Sequence, residues 1–438
     1  MSLKRAITTL CILLPAVAAA QSSSLNTFSP YTLYGVGDIA SQGSVESKGM
    51  GGAGFGFRSA TTINSLNPAS YSAFSRKSFL FNVGLEGTNY YLKGSNSIET
   101  DDGIIRKSSY NTFNINNISL GFPLAQGVGF SIGLTPYSDV GYRLSRKEES
   151  PEILSSIGQV TYSFLGSGGL NQIKAGLGFS LGKGVSLGAE AIYYMGEIDR
   201  QYYVTVQPLL SSGQWYSVNS SNYSDISSIS ALFGVQWDAI SSRSELLTFG
   251  ATYQMGGKLN ADNYRYIPSQ NISSDTVALS KLNFAFNMPT SIGFGVHYAN
   301  EKWMFAGDYQ FRNWGSANPT SEVPNIKYVN SSSLRLGAQY TPNRMDFRHM
   351  FNRWSYRAGF RYEQYYMQIG GVKMADRALS LGLGIPAKAS GLTSVNLGLE
   401  IGQRGKLQTG LFRTNYFRFS IGLSLFGEDG WFVQHKYD

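Results

Sequence analysis

The sequence predicts an all-β fold: a transmembrane antiparallel β-barrel of fourteen strands with an N-terminal hatch, or plug, in the lumen. Three observations predict it. The chain opens with a secretory pattern, apolar residues recur with period two along most of its length, and ionisable residues in those windows fall on the face opposite the apolar one.

The opening stretch MSLKRAITTLCILLPAVAAAQ places Lys4 and Arg5 before an apolar run, Ala6 to Leu14. Pro15 breaks that run, and Ala18, Ala19 and Ala20 precede Gln21. The run is too short to span a bilayer as a helix and has the layout of a cleaved signal, so residues 1–20 read as a signal peptide. Cys11 is the single cysteine, with Leu10 before it where a lipoprotein signal needs a small residue. Cleavage removes it, so the mature chain is expected to hold no disulfide, thiolate nucleophile or Cys-bound metal.

Composition narrows the class. Beyond the signal no stretch approaches about 18 consecutive apolar residues, which excludes helical spans. Aromatics make up 14% of the chain, with 28 Tyr, 26 Phe and 50 Gly, and charged residues only 15%. Ordinary soluble domains carry roughly 25% charge, and disorder requires few aromatics. The net charge of +8 comes without a Lys/Arg-rich run or recognition helix. It therefore reads as a basic surface meeting anionic lipid, and no nucleic-acid partner is expected.

The alternation carries the membrane assignment. In WMFAGDYQFRNW, Trp303, Phe305, Gly307, Tyr309 and Phe311 share one face, opposite Met304, Ala306, Asp308, Gln310 and Arg312. Tyr356, Ala358, Phe360 and Tyr362 likewise oppose Arg357, Gly359, Arg361 and Glu363, and Phe417, Phe419 and Ile421 oppose Arg418, Ser420 and Gly422. Glu86, Lys174, Glu190, Arg335 and Glu400 obey the same rule in other windows. A lipid-facing Arg or Lys at mid-membrane costs about 2–4 kcal/mol, so selection clears one face and leaves the lumen free. A soluble sheet tolerates charge less one-sidedly. The expected location is the cell outer membrane, in contact with the bilayer and lipopolysaccharide.

Strands are expected near 78–92, 110–124, 127–147, 156–181, 185–205, 226–238, 245–266, 284–299, 303–314, 331–341, 353–367, 377–387, 393–403 and 413–426. An even count puts both termini in the periplasm. Short connections at Ala125-Gln126-Gly127, Gly182-Lys183-Gly184 and Asn300-Glu301-Lys302 suit periplasmic turns; the Ser- and Asn-rich 207–225 and 314–330 suit extracellular loops. The barrel is thus expected over 78–426, with a periplasmic tail at 427–438. Residues 21–77 are Gly- and Ser-rich without sustained alternation. A lumen of this size is not filled by its own side chains, so this segment either plugs it or hangs as a periplasmic tail.

SKGMGGAGFGF (Ser47–Phe57) followed by NSLNPASYSAF (Asn64–Phe74) resembles the hatch of the FadL/TodX outer-membrane transporters, with Asn67, Pro68 and Ala69 matching its Asn-Pro-Ala turn. Pro289, Ile292-Gly293-Phe294-Gly295, Tyr298, Trp303, Asp308 and Trp314 follow that family's strand–turn–strand pattern, and Tyr356–Tyr362 resembles a later strand. Gly166–Gly196 and the ending HKYD are similar to the Bacteroidota branch. The resemblance covers most of the mature chain. It implies passive uptake of a hydrophobic molecule, a long-chain fatty acid or similar, through the lumen and a lateral opening, with no chemical step and no cofactor.

Several residues then become candidates. Gly166, Ser167, Gly168 and Gly169 could break the fourth strand and shape the lateral opening, or could form an ordinary bend. Asn67-Pro68-Ala69 reads as a turn steering the segment into the first strand, and the resemblance adds gating. Asp308, Arg312, Arg335, Arg357 and Arg361 come from three successive strands. They either hold a ligand carboxylate or pair with one another and with the plug, where Asp38 is one partner. His297 faces the lumen without a nucleophile elbow or a second metal-ligating His, so no catalysis and no metal site are expected. The competing function is a docking subunit of a larger outer-membrane secretion or assembly complex, with an outer-membrane or periplasmic protein partner.

Overall fold

The computed structural model describes residues 25–94, 107–208, 217–267, 277–281, 286–319, 325–346, 348–387, 393–408 and 411–427. The expected signal peptide, and the tail beyond Gly427, lie outside the described residues. Fourteen antiparallel strands close a barrel. They are β1 Phe79–Gly94, β2 Lys107–Ala125, β3 Val128–Lys147, β4 Gly158–Gly182, β5 Val185–Pro208, β6 Ser217–Ser241 and β7 Glu245–Gln254. The second half is β8 Ser291–Asn300, β9 Trp303–Arg312, β10 Ser331–Tyr340, β11 Ser355–Ile369, β12 Val372–Pro386, β13 Ser394–Gly405 and β14 Phe412–Gly427. Closure is between β1 and β14, paired from Phe79↔Gly427 to Gly94↔Phe412. Closing the sheet satisfies backbone groups that lipid cannot.

The period-two pattern becomes two surfaces. Phe294, Leu379 and Ile401 are 58%, 65% and 64% exposed, an arrangement that lipid accepts and water would not. Lys174, Glu190, Asp308, Arg335, Arg357, Arg361 and Glu400 point inward and are buried. Tight hairpins at one rim use left-handed backbone at Gly182, Lys183 and Gly184 between β4 and β5.

All fourteen expected strands are present, with two instructive departures. β4 is not interrupted at Gly166–Gly169. Gly166 to Gly169 pair with Tyr142 to Asp139 on β3 and with Arg200 to Glu197 on β5, without a break on either side. The glycines serve close contact instead: a Cβ on Gly166 would lie 2.0 Å from the ring of Tyr142. An aromatic ring laid over a strand glycine restores the packing that the glycine lacks. Of the two readings of these residues, a lateral gap or an ordinary stretch of wall, the pairing agrees with the second.

The wall is interrupted elsewhere. β7 ends at Gln254, and Gly257–Leu259 pairs with Phe286–Met288 as a separate two-stranded sheet whose Leu259, Phe286 and Met288 are buried. Ala261–Ile267 then rejoins the ladder beside β6 and Val277–Lys281. β9 stops at Arg312 and is followed by the short helix Trp314–Ala317, where Asn318 and Asn287 exchange side-chain and backbone hydrogen bonds at 2.8 Å.

Residues 25–77 lie against the inward faces of the strands. Asp38–Ile39 pairs with Asp139 and Ser138 of β3. Pro30–Leu33 and Pro68–Ala73 form 3-10 turns, and Val45–Gly49 a short helix whose Ser44 hydroxyl accepts from the Ser47 amide at 3.3 Å. The segment begins beside Phe412, at the start of β14, where the Tyr31 hydroxyl meets the Phe412 carbonyl. It ends at the opposite rim, where Tyr71 and Phe74 pack with Leu80 of β1. It thus runs the length of the lumen.

Candidate functional site

The site is the interface between this segment and the wall. Glu46 and Lys48, in the first and last turns of the Val45–Gly49 helix, reach two different strands: Glu46 pairs with Arg357 of β11 at 2.8 Å, and Lys48 with Glu86 of β1 at 2.6 Å. Beyond the helix the segment presents bare backbone. The Gly51 amide donates to Ser380 Oγ at 2.9 Å. The Gly54 and Phe55 amides both donate to Asp308 Oδ2, at 2.6 and 2.9 Å. Asn67, fully buried, caps the Pro68–Ala73 turn through Ala69 N–H at 3.1 Å, and its amide donates to Phe55 O at 2.8 Å and to Val235 O of β6 at 3.2 Å. Asn67-Pro68-Ala69 is therefore both a turn and a tether between segment and wall.

Such backbone approach requires a wall without side chains at the points of contact. A Cβ on Gly188 of β5 would lie 2.3 Å from Pro68 C and Ala69 N, and one on Gly359 of β11 would lie 2.0 Å from Gly51 N. Both obstacles are backbone and cannot rotate away. Gly188→Leu is expected to displace the turn and to cost at least about 1–3 kcal/mol, the usual penalty of overpacking. Limited proteolysis in detergent checks it: new cleavage in 57–77 is expected while the barrel band persists. An unchanged digest would mean that the turn is not seated there.

The five charges singled out in the sequence share the wall but play separate parts. Asp308 holds the two segment amides, and Arg357 holds Glu46 together with Gln339 and Asn396. Arg312 pairs with Glu363 at 2.6 Å. Arg361 reaches Glu400 at 2.8 Å, Glu363 at 3.4 Å and Asp376 at 3.9 Å, and donates to the Tyr416 hydroxyl at 2.9 Å. Arg335 differs. It donates to Gln310 Oε1 at 3.1 Å and lies over the Phe55 ring at 6.0 Å, while its Nε has no acceptor among the described residues.

Sequence reasoning placed Glu86, Glu363, Glu400 and Arg418 on the lumen face but missed Arg404 and Asp376 and the pairings among them. Asp38 pairs with none of the five charges singled out; it meets Arg404 of β13 and accepts from Tyr365 at 2.7 Å. Arg404 also holds Asp376, and Arg418 joins Glu400 to Glu86 at 2.8 Å each. Among the described residues the connected set is Lys48, Arg312, Arg361, Arg404 and Arg418 against Asp38, Glu86, Glu363, Asp376 and Glu400, five cations to five carboxylates. Buried charges persist only when so paired.

Toward β4 and β5 the Tyr71 hydroxyl donates to Glu190 Oε2 at 2.6 Å, and Lys174 lies 3.9 Å from the other oxygen. Burial, and then the Glu190 charge, push the Tyr71 phenol well above its ordinary value, so it remains a donor. A polar cavity of about 50 Å³ remains between segment and wall, lined by Gln42, Leu66, Gln172, Lys174, Gln310 and Arg335 among others. That is room for a few waters; pockets for small-molecule ligands run to about 300–1,000 Å³. His297 faces the lumen under the Phe57 ring at 5.3 Å, and among the described residues neither ring nitrogen has a hydrogen-bond partner.

No curated protein matches the chain in sequence. Among solved structures the fold is similar to the Pseudomonas putida toluene transporter TodX, at 17% identity and a TM-score of 0.54 over 90% of this chain and 100% of that one. It is also similar to a Pseudomonas aeruginosa FadL homologue, at 13% identity and a TM-score of 0.53 over 90% of this chain and 99% of that one. The CymD monoaromatic hydrocarbon channel is a third, at 15%, with a TM-score of 0.50 over 89% of this chain and 98% of that one. At such identities the likeness is one of fold, that of an outer-membrane β-barrel. The model of the BamG family matches residues 2–438, and the chain accordingly belongs to the BamG family.

Proposed function

We propose that the protein is a self-plugged outer-membrane barrel that serves as a docking subunit of a larger assembly or secretion complex, with residues 25–77 as its hatch. The observation that carries this reading is the lock between hatch and wall: two ion pairs from one short helix, two amides on Asp308 and the Asn67 tether. Opening a path for an apolar solute would strand those buried groups, each at about 1–3 kcal/mol or more. Membership of the BamG family is in keeping with partners in an assembly complex. No chemical step belongs to this reading.

A second reading, passive uptake of a hydrophobic molecule such as a long-chain fatty acid, has one observation in its favour. The ladder is interrupted after Gln254, where Gly257–Leu259 pairs with Phe286–Met288 instead of with the wall, near the end of β9 at Arg312. Under this reading the hatch moves about Asn67-Pro68-Ala69, and Arg335 meets the ligand carboxylate. Purification in a mild non-ionic detergent, followed by mass spectrometry of proteins and lipids, separates the two. The docking reading expects a stoichiometric complex with other outer-membrane proteins and no lipid in the lumen. A lone barrel retaining one fatty acid, lost on Arg335→Gln, would overturn it in favour of transport.

A further inference from the structure

On the rim bearing the tight hairpins, the connection from β10 to β11, residues 341–354, reads TPNRMDFRHMFNRW and is long. By strand parity this is the periplasmic rim. The connection is built. Asp346 Oδ1 accepts from the amides of Arg348 and His349, at 2.8 and 2.9 Å, and its Oδ2 accepts from Asn352 Nδ2 at 2.6 Å. These bonds hold the Asp346 carboxyl well below the ordinary carboxylate range. Met350–Arg353 then forms a 3-10 turn.

The turn overhangs the lipid-facing side. Tyr356 points outward, 40% exposed, and its hydroxyl donates to the Phe351 carbonyl at 3.1 Å. Phe351 packs edge-on against Trp354, with ring centroids 4.7 Å apart. On neighbouring strands Trp303 and Tyr340 stand 4.5 Å apart, so the turn continues an aromatic girdle. Met345, Met350 and Phe351 are 74%, 52% and 61% exposed, and Arg344 and Arg348 stand exposed among them with Arg353 half-buried.

We propose that Arg344–Asp346 and Arg348–Trp354 form a binding site for an anionic phospholipid of the periplasmic leaflet. Arg344, Arg348 and Arg353 meet the phosphodiester, and Met350 and Phe351 enter the acyl region beside the girdle. An amphipathic element with cations above and aromatic and apolar groups below is the chemistry of a lipid interface. A purely periplasmic protein contact would leave the outward overhang without purpose. Asp346 fixes the backbone of the turn at Arg348 and His349 and ties it to Asn352.

Native mass spectrometry of the full-length protein in non-ionic detergent, titrated with phosphatidylglycerol or phosphatidylcholine, tests this. The wild-type protein is expected to retain phosphatidylglycerol about tenfold or more better than phosphatidylcholine. The triple variant R344Q/R348Q/R353Q should lose that preference to within about twofold, and R344K/R348K/R353K should keep most of it. M350S/F351S should weaken retention of both lipids. Heat-modifiable mobility on gels confirms that each variant is folded. An undiminished phosphatidylglycerol preference in the glutamine variant would overturn the proposal. So would loss of a stoichiometric protein partner with lipid retention intact, which would make the turn a protein site.

Discussion

Arg361→Met lowers the unfolding midpoint of the barrel in detergent, read as the temperature at which the heat-modifiable band shifts. The residue is the hub of a balanced lattice, five cations to five carboxylates, and its loss leaves four to five. Removing one partner of a buried pair costs about 3–5 kcal/mol. The lower end applies here, because each carboxylate keeps another partner: Glu400 keeps Arg418, Glu363 keeps Arg312, and Asp376 keeps Arg404. The excess negative charge is the residual penalty. Removing one carboxylate as well should relieve it, so Arg361→Met with Glu400→Gln is expected to recover part of the loss. If the double variant is as unstable as the sum of the singles, the lattice is a set of independent pairs and the balance argument fails.

Most of the barrel was legible in the sequence, and the reason is the solvent. Lipid excludes charge from one face, so Trp303–Arg312 or Phe417–Leu425 announces strand, register and orientation together. The partners were not legible, because no local period relates Asp38 to Arg404 or Glu46 to Arg357; those pairings depend on how the segment threads the lumen. Two lattice members were missed by a margin of one residue. Arg404 and Asp376 sit just past the expected ends of their strands at 403 and 377, in the stretch where alternation fades but pairing continues to Gly405 and back to Val372. Glycine misled in the other direction. Gly166–Gly169 looked like a break and is a paired stretch beneath Tyr142, whereas Met255–Gly257, inside a window that alternates, is where the chain leaves the wall. The signal that would have located the segment is the inward-facing glycine: Gly188 and Gly359 lie on lumen faces where backbone, not a side chain, must be received.

Asp308 gives the sharper test of what holds the segment in place. Its Oδ2 accepts the amides of both Gly54 and Phe55, and Asp308 is 3% exposed, out of reach of bulk solvent. Asp308→Ala leaves two buried N–H donors without acceptors, at about 1–3 kcal/mol each, or roughly 2–6 kcal/mol for the pair. Asp308→Asn keeps an oxygen in the same place and should retain most of the interaction. The β9 ladder itself, Gly295↔Asp308↔Arg335, is backbone and survives either change. The loss should therefore be local. Amide hydrogen exchange across residues 51–57 is expected to accelerate by tenfold or more in Asp308→Ala, by far less in Asp308→Asn, and the heat-modifiable midpoint should move little in either. Were the whole barrel to destabilise instead, segment and wall would form one cooperative unit, and the segment could not move as a hatch while the wall stands. Were exchange unchanged, Asn67 and the Glu46 and Lys48 pairs alone would hold the segment, and Asp308 would be redundant to them.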